Sequence, residues 1–235
     1  MILCLETATS TCSVGLNEGG KCLALRECQG QNAHSEKITL FIKEVMNEVG
    51  VDYGQLDALA VSKGPGSYTG LRIGVSTAKG VCYASGLPLM AIDTLEAMAY
   101  GLRNRLGDAL GPADLLVPMI DARRMEVYRA VFDADLNRVY DTSAVIFDDT
   151  AQNAMPYLRK PTSNIWLFGD GAPKLHALFD GQEQIHIVDD FMPSAVYMAT
   201  LADKALKTKD FVDVAYFEPF YLKDFVAGKP HVKGL

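Results

Sequence analysis

The chain reads as an α/β protein of two lobes, each a mixed sheet with flanking helices. Three observations predict this. Apolar runs of strand length alternate with segments of helical periodicity along most of the chain. The opening order, three meandering strands and then helix–strand alternation, returns after the polar stretch from Gly101 to Asp114, which contains glycines and a proline. Each half starts with an apolar strand that stops at an acidic residue, Glu6 in the first and Asp121 in the second. Identity between the halves is low, so the repeat is one of architecture.

The elements follow in order. Ile2 to Leu5, Cys12 to Leu16 and Cys22 to Leu25 are the first three strands, with Asn17-Glu18-Gly19-Gly20 as a hairpin turn. Ile38, Phe41, Ile42, Val45, Met46 and Val49 recur at three-and-four spacing and predict a helix over 35–49, with Gly50 as its C′ residue. Leu56 to Ser62 is a buried strand, and the glycine-rich turn Gly64 to Gly74 leads it into a helix over 69–85. Leu89 to Ile92 is a strand and Thr94 opens a third helix. Leu115 to Ile120, Glu126 to Phe132 and a strand from Arg138 repeat the meander. Helices near 149–158, 174–179 and 194–206 alternate with strands 165–168 and 185–188. The expected division is an N-terminal lobe of 1–104, a C-terminal lobe of 105–215, and a terminal segment of 216–235 that returns to the N-terminal lobe.

Composition narrows the function. A chain of 235 residues buries a core without staples. The opening Met1-Ile2-Leu3-Cys4-Leu5 meets Glu6 with no basic region before it, which reads as a first strand and not a signal peptide. No apolar run reaches membrane-spanning length. The five cysteines form no Cys-x-x-Cys pair and read as small core residues. A cytoplasmic location is expected. The net charge of −7 argues against autonomous binding of nucleic acid.

Two turns are candidates for chemistry. A glycine-rich strand-to-helix turn leaves backbone N–H groups at a helix start, where anions bind, or serves only as a tight turn. Gly66 and Ser67 are its candidate cleft residues, with a helix-capping hydroxyl as the plainer role for Ser67. Asp121-Ala122-Arg123-Arg124 is a polar turn whose Asp121 and Arg123 either face an interlobe cleft or stand in solvent. Two lobes that each present an acidic strand end suggest the actin-like ATPase (ribonuclease-H-like) fold, in which Glu6 and Asp121 would face a nucleotide across the cleft. The turn Thr7 to Thr11 has no glycine, which weakens the case for a phosphate loop. The four histidines include no pair at i, i+3 or i, i+4, so no metal site is expected. His34, at the start of the first helix, is expected to cap or to be exposed. No Gly-x-Ser-x-Gly elbow and no Walker loop occur, so no catalytic residue is assigned.

The helices at 35–49 and 69–85 carry more apolar and small residues than a surface helix needs. Rows of small residues, Gly70-Gly74-Ala78 and Ser76-Gly80-Ala84, permit close approach of another backbone. Phe41, Val45, Leu71, Gly74, Val75 and Ala78 are the candidate partner-binding residues; the alternative is that both helices face the lobe core.

The run Gly64 to Gly80 resembles the signature of the TsaB (YeaZ) family. Asp121 to Tyr128 is similar to that family's second motif, and Ile2 to Ala8 to its first strand, with Glu6 where the family often has Asp. Glu218 to Lys223 is similar to a terminal Pro-x-Tyr-x-Arg element, with Lys223 in place of arginine. The resemblance spans the chain. It implies a non-catalytic subunit of the bacterial machinery that forms N6-threonylcarbamoyladenosine at position 37 of tRNAs reading codons that begin with A. The implied partners are the related transferase TsaD and the ATPase TsaE, with a homodimer in isolation and tRNA contacted only through the complex. ATP is used by the complex, and no cofactor is expected on this subunit alone. The metal-binding His-x-x-x-His of TsaD falls at Thr94 and Met98 here. Alternatives are an ATP-dependent sugar or acyl kinase of the same fold, or a glycoprotease-like peptidase.

Overall fold

The computed structural model describes residues 1–30, 32–147, 156–158 and 163–223. Strands β1 (Ile2–Glu6), β2 (Thr11–Glu18), β3 (Lys21–Gln29), β4 (Ala58–Gly64) and β5 (Leu89–Asp93) form one sheet in the order β3-β2-β1-β4-β5. Strands β6 (Leu115–Asp121), β7 (Glu126–Asp133), β8 (Arg138–Ile146), β9 (Ile165–Phe168) and β10 (Ile185–Val188) form a second in the order β10-β9-β6-β7-β8. The two orders are the same. In each, the first strand pairs antiparallel with the second and parallel with the fourth. Together they make a two-lobed α/β fold of the actin-like, ribonuclease-H-like kind, one sheet to each lobe.

Burial explains the apolar runs. β1 is buried along its whole length, and β4 nearly so, because helices cover both faces of the first sheet. Helices α1 (Ala33–Val49) and α2 (Tyr68–Ser85) lie on one face, with Ile38, Ile42, Val45, Val75, Ala78 and Cys82 packed on Leu3, Leu5, Val14, Leu59 and Val61. Gly50 ends α1 at φ 78° and donates its N–H to Met46 O. Ser67 caps α2 by accepting the Gly70 N–H at 3.2 Å. Cys4, Cys12 and Cys82 are buried; Cys22 and Cys28 are half-buried.

Helix α3 (Thr94–Leu106) sits between the lobes. Its Leu95, Met98, Ala99 and Leu102 pack on Leu116, Ile120, Ala130, Phe132 and Phe168 of the second sheet. The expected break at Gly101 and the boundary at 104/105 therefore fall inside a helix. Polarity rises there because Arg103 and Arg105 occupy the last turn, where cations oppose the helix dipole, and donate to Ala134 O and Asp190. Gly101 itself packs on Tyr197: a Cβ there would lie 2.5 Å from the ring.

The chain then crosses back. A 3-10 turn (Ala195–Met198) and helix α5 (Ala199–Thr208) put Ala195, Met198, Leu201, Ala202 and Ala205 against Ile2, Cys4, Ala60, Met90 and Ile92 of the first sheet. This helix, placed by sequence in the C-terminal lobe, thus completes the core of the other one. Short helix α4 (His176–Phe179) follows a 3-10 turn in the crossover from β9 to β10. The helix expected near 149–158 lies outside the described residues except for the 3-10 turn Pro156–Leu158. Residues 210–223 run back over the first lobe, and 224–235 lie outside the described residues. Among the described residues no helix is long and apolar enough to cross a membrane.

Candidate functional site

A cleft of about 660 Å³ opens between the lobes. The first lobe lines it with Thr9, Ser10, His34, Gly66, Ser67 and Tyr68, and the second with Asp121, Arg123, Tyr128 and Asp170. Of the residues expected there, Gly66, Ser67, Asp121 and Arg123 are in place, and Glu6 is not. Glu6 is 1% exposed and accepts the Ala8 N–H on Oε1 at 2.6 Å. Its carboxyl stabilises its own turn instead of facing the cleft, and burial pushes its pKa up to about 7.

The glycines of the α2 turn have a packing task. A Cβ on Gly66 would lie 2.3 Å from Ala8 O, on Gly70 2.2 Å from Thr7 O, and on Gly74 2.1 Å from Thr7 Oγ1. The turn after β1 rests directly on α2, and the Ser67 N–H donates to Ala8 O at 2.6 Å. Gly64 stands at φ 109°, and a Cβ there would lie 2.6 Å from Phe220 O. His34 is half-buried: its Nε2 pairs with Thr9 O at 2.8 Å, and burial, opposed by that hydrogen bond, lowers its pKa, so the ring is packed against the turn. That corrects the expected capping or exposed role.

Across the cleft, Arg123 and Arg124 take φ values of 70° and 50° in succession. Such backbone is costly for a side-chain-bearing residue and persists only when its surroundings impose it. Lys174 does so, donating to the Asp121 carboxylate and to the Arg124 and Glu126 carbonyls. Asp170 accepts the Asp121 N–H at 3.0 Å, and burial, opposed by that hydrogen bond and reinforced by the Asp121 charge, raises its pKa to about 6. The C-terminal strap closes one side. The Tyr221 ring packs on Tyr68, centroids 4.7 Å apart and planes tilted by 33°, and Lys223 is ion-paired with Glu126. Asp170 lies in the strand-to-helix turn Gly169-Asp170-Gly171-Ala172, which by sequence either faces the cleft or stands in solvent, and it lines the cleft; Tyr221 and the bracing Lys174 carry no local signal, because only the tertiary fold brings their distant segments to these turns.

The expected partner face is turned inward. Val45, Leu71 and Ala78 have no exposed surface, Val75 is 4% exposed, and Gly74 is pressed on Thr7. Of the six candidates only Phe41 retains partial exposure. The reason is that both apolar stripes are needed to cover the first sheet. The opposite face of the same pair is open, with Leu40 44% and Tyr83 87% exposed, and no atom within 4 Å of a Cβ on Gly80. Thus Gly70-Gly74-Ala78 packs internally, whereas Ser76-Gly80-Ala84 faces out. Thr94 and Met98 are both buried; the Thr94 hydroxyl accepts the Gly64 N–H, and Met98 lies among apolar side chains.

The family model of TsaD, tRNA N6-adenosine threonylcarbamoyltransferase, matches residues 29–229. The tRNA threonylcarbamoyladenosine biosynthesis protein TsaB of Escherichia coli is 31% identical over 237 aligned positions, covering 97% of this chain and 96% of that protein. The chain belongs to the TsaB family. TsaB of Haemophilus influenzae is 29% identical, covering 97% of this chain and 95% of that protein. The TsaB-family fold is seen in YeaZ from Pseudomonas aeruginosa, with a TM-score of 0.76 at 23% identity over 94% of this chain and 99% of that one. The likeness to a threonylcarbamoyltransferase from Erythrobacter litoralis is higher, 46%, but spans 77 residues, 33% of this chain and 22% of that enzyme.

Proposed function

We propose that this chain is a non-catalytic scaffold and activator subunit in the formation of tRNA N6-threonylcarbamoyladenosine, acting through a TsaD-type transferase and a TsaE-type ATPase. The observation that carries the reading is the open outer face of α1 and α2. Leu40, Phe41 and Tyr83 supply apolar contact there, and Ser76 and Gly80 let a second helix pair come close. A related two-lobed transferase presenting an equivalent pair would complete a four-helix layer. In isolation a second copy covers the same face about a twofold axis.

The cleft suits a nucleotide poorly. Glu6 is folded into its own turn, the turn after β1 has no glycine, and the Ala8 carbonyl is already bonded to Ser67. No step of a reaction is assigned to this chain. ATP belongs to the complex, and tRNA is held by the partners, in keeping with a net charge of −7.

Co-purification with a TsaD-type protein tests the reading. Gly80→Arg and Leu40→Asp are expected to keep the circular-dichroism spectrum, lose co-elution, and lose modified adenosine in a reconstituted reaction with tRNA. Retained co-elution and full modification by both variants would overturn the docking face. Threonylcarbamoyl transfer by the lone chain would overturn the non-catalytic role.

A further inference from the structure

We propose that the outer edge of β10 is a strand-addition site for an extended, basic segment of a partner protein. The two sheets share one strand order, so β10 is the counterpart of β5. In the first lobe the chain itself covers that edge: Val212 forms an antiparallel bridge with Leu89 and donates its N–H to Leu89 O at 2.9 Å. In the second lobe no described strand pairs with the outer side of β10: the Ile185 N–H donates to Gln182 O in the preceding turn at 3.0 Å, and no described residue pairs with the outward Ile187 N–H and carbonyl. An unpaired edge presents a row of backbone donors and acceptors, and proteins usually blunt it with lysine, proline or a bulge. The β10 sequence Ile-His-Ile-Val has none of these, and its register with β9 is unbroken.

A groove of about 850 Å³ follows this edge, lined by all four β10 residues. Because successive strand residues point to opposite faces, the groove wraps the edge and does not sit on one face. Its floor is rigid. Trp166 stacks on His186 at 4.5 Å and donates its indole N–H to Asp114 at 3.1 Å, while His186 Nε2 pairs with Asn164 Oδ1 at 3.0 Å. The rim carries Asp180 and Glu183, both exposed and neither in an ion pair among the described residues. Main-chain pairing supplies affinity in strand addition, and alternate side chains supply selectivity. Here the acidic rim selects lysine or arginine, and the aromatic floor accepts a β-branched side chain. Four strand residues span about 13 Å, room for one short extended segment. The site lies on the second lobe and is independent of what covers α1 and α2.

Trp166 is the one tryptophan of the chain and lines the groove, so its emission reports occupancy. The full chain is titrated with three blocked hexapeptides: Lys-Val-Lys-Val-Lys-Val, the same peptide N-methylated at alternate backbone nitrogens, and Glu-Val-Glu-Val-Glu-Val. The proposal expects a saturable emission change with the first and half-saturation at least tenfold higher with the other two. Asp180→Lys combined with Glu183→Lys is expected to weaken the lysine peptide about tenfold at an unchanged melting temperature. No saturable response up to about 1 mM, the bound for weak specific association, overturns the proposal. Equal response to the N-methylated peptide overturns strand addition, and indifference to the charge reversals overturns the basic selectivity.

Discussion

Gly66 on the α2 turn and Ala8 on the turn after β1 touch main chain to main chain: a Cβ at residue 66 would stand 2.3 Å from the Ala8 carbonyl oxygen. Replacing Gly66 by alanine must push the two turns apart and break the bond from the Ser67 N–H to Ala8 O. The expected cost is about 3 kcal/mol, in the range of overpacked interiors, read as a fall in the denaturant midpoint. A change below about 0.5 kcal/mol, the level of an ordinary surface substitution, would show that the turns part freely.

Glu6 makes stability depend on pH. Its folded pKa, raised from 4.5 to about 7, exceeds its unfolded value, so the folded chain binds the extra proton between the two. The favourable contribution is full below about pH 4.5 and is lost as pH rises through about 7. The shift corresponds to roughly 3 kcal/mol. Glu6→Gln keeps an acceptor for the Ala8 N–H and removes the titration. Stability curves of the two forms should diverge between pH 5 and 7.5, with the variant gaining relative to the parent. Parallel curves would mean the carboxyl is hydrated.

The two faces of α1 should respond differently to the same change. Val45→Asp puts an unpaired charge among Leu3, Val14 and Ile42 and is expected to cost roughly 4 kcal/mol. Leu40→Asp, on the 44%-exposed face, is expected to stay within about 0.5 kcal/mol. Thermal melts of both variants decide it. Similar costs would contradict the inward orientation of the stripe.

The strap from 210 to 223 should behave as one unit with the cleft. Tyr221→Ala removes the tilted ring contact with Tyr68, worth about 1 kcal/mol, and Lys223→Ala removes a half-exposed ion pair worth at most about that. Hydrogen exchange of the Phe220 amide, which is bonded to Lys63 O at 2.7 Å, is expected to quicken in Tyr221→Ala. Unchanged exchange would show that the backbone bond holds the strap without the ring.

Much of the fold was legible. The apolar runs at Ile2 to Leu5 and Leu115 to Ile120 marked central strands because those strands are covered on both sides, and Gly50 marked a helix end because its αL backbone suits glycine. The recurrence of the meander announced two like sheets. The crossing of α5 to the first lobe was not legible, since an amphipathic stripe states that a face is buried and not against what. The direction of the α1 and α2 stripes was hidden for the same reason.

The candidate cleft divides likewise. Gly66, Ser67, Asp121 and Arg123 stood out by local turn chemistry, and they line it. Glu6 had the same local signature, yet one backbone amide, that of Ala8, captured its carboxylate.

By itself the order of residues determined the local elements, the architectural repeat, and the motifs shared with TsaB, because periodicity, turn chemistry and spacing are properties of neighbours along the chain. Tertiary structure decided which stripe became core, which glycines admit a neighbouring backbone, and which strand edge no other described strand pairs with. Those depend on contacts between residues tens to hundreds of positions apart, such as Lys79 with Phe217 and Gly64 with Phe220, whose geometry exists only after the lobes have packed.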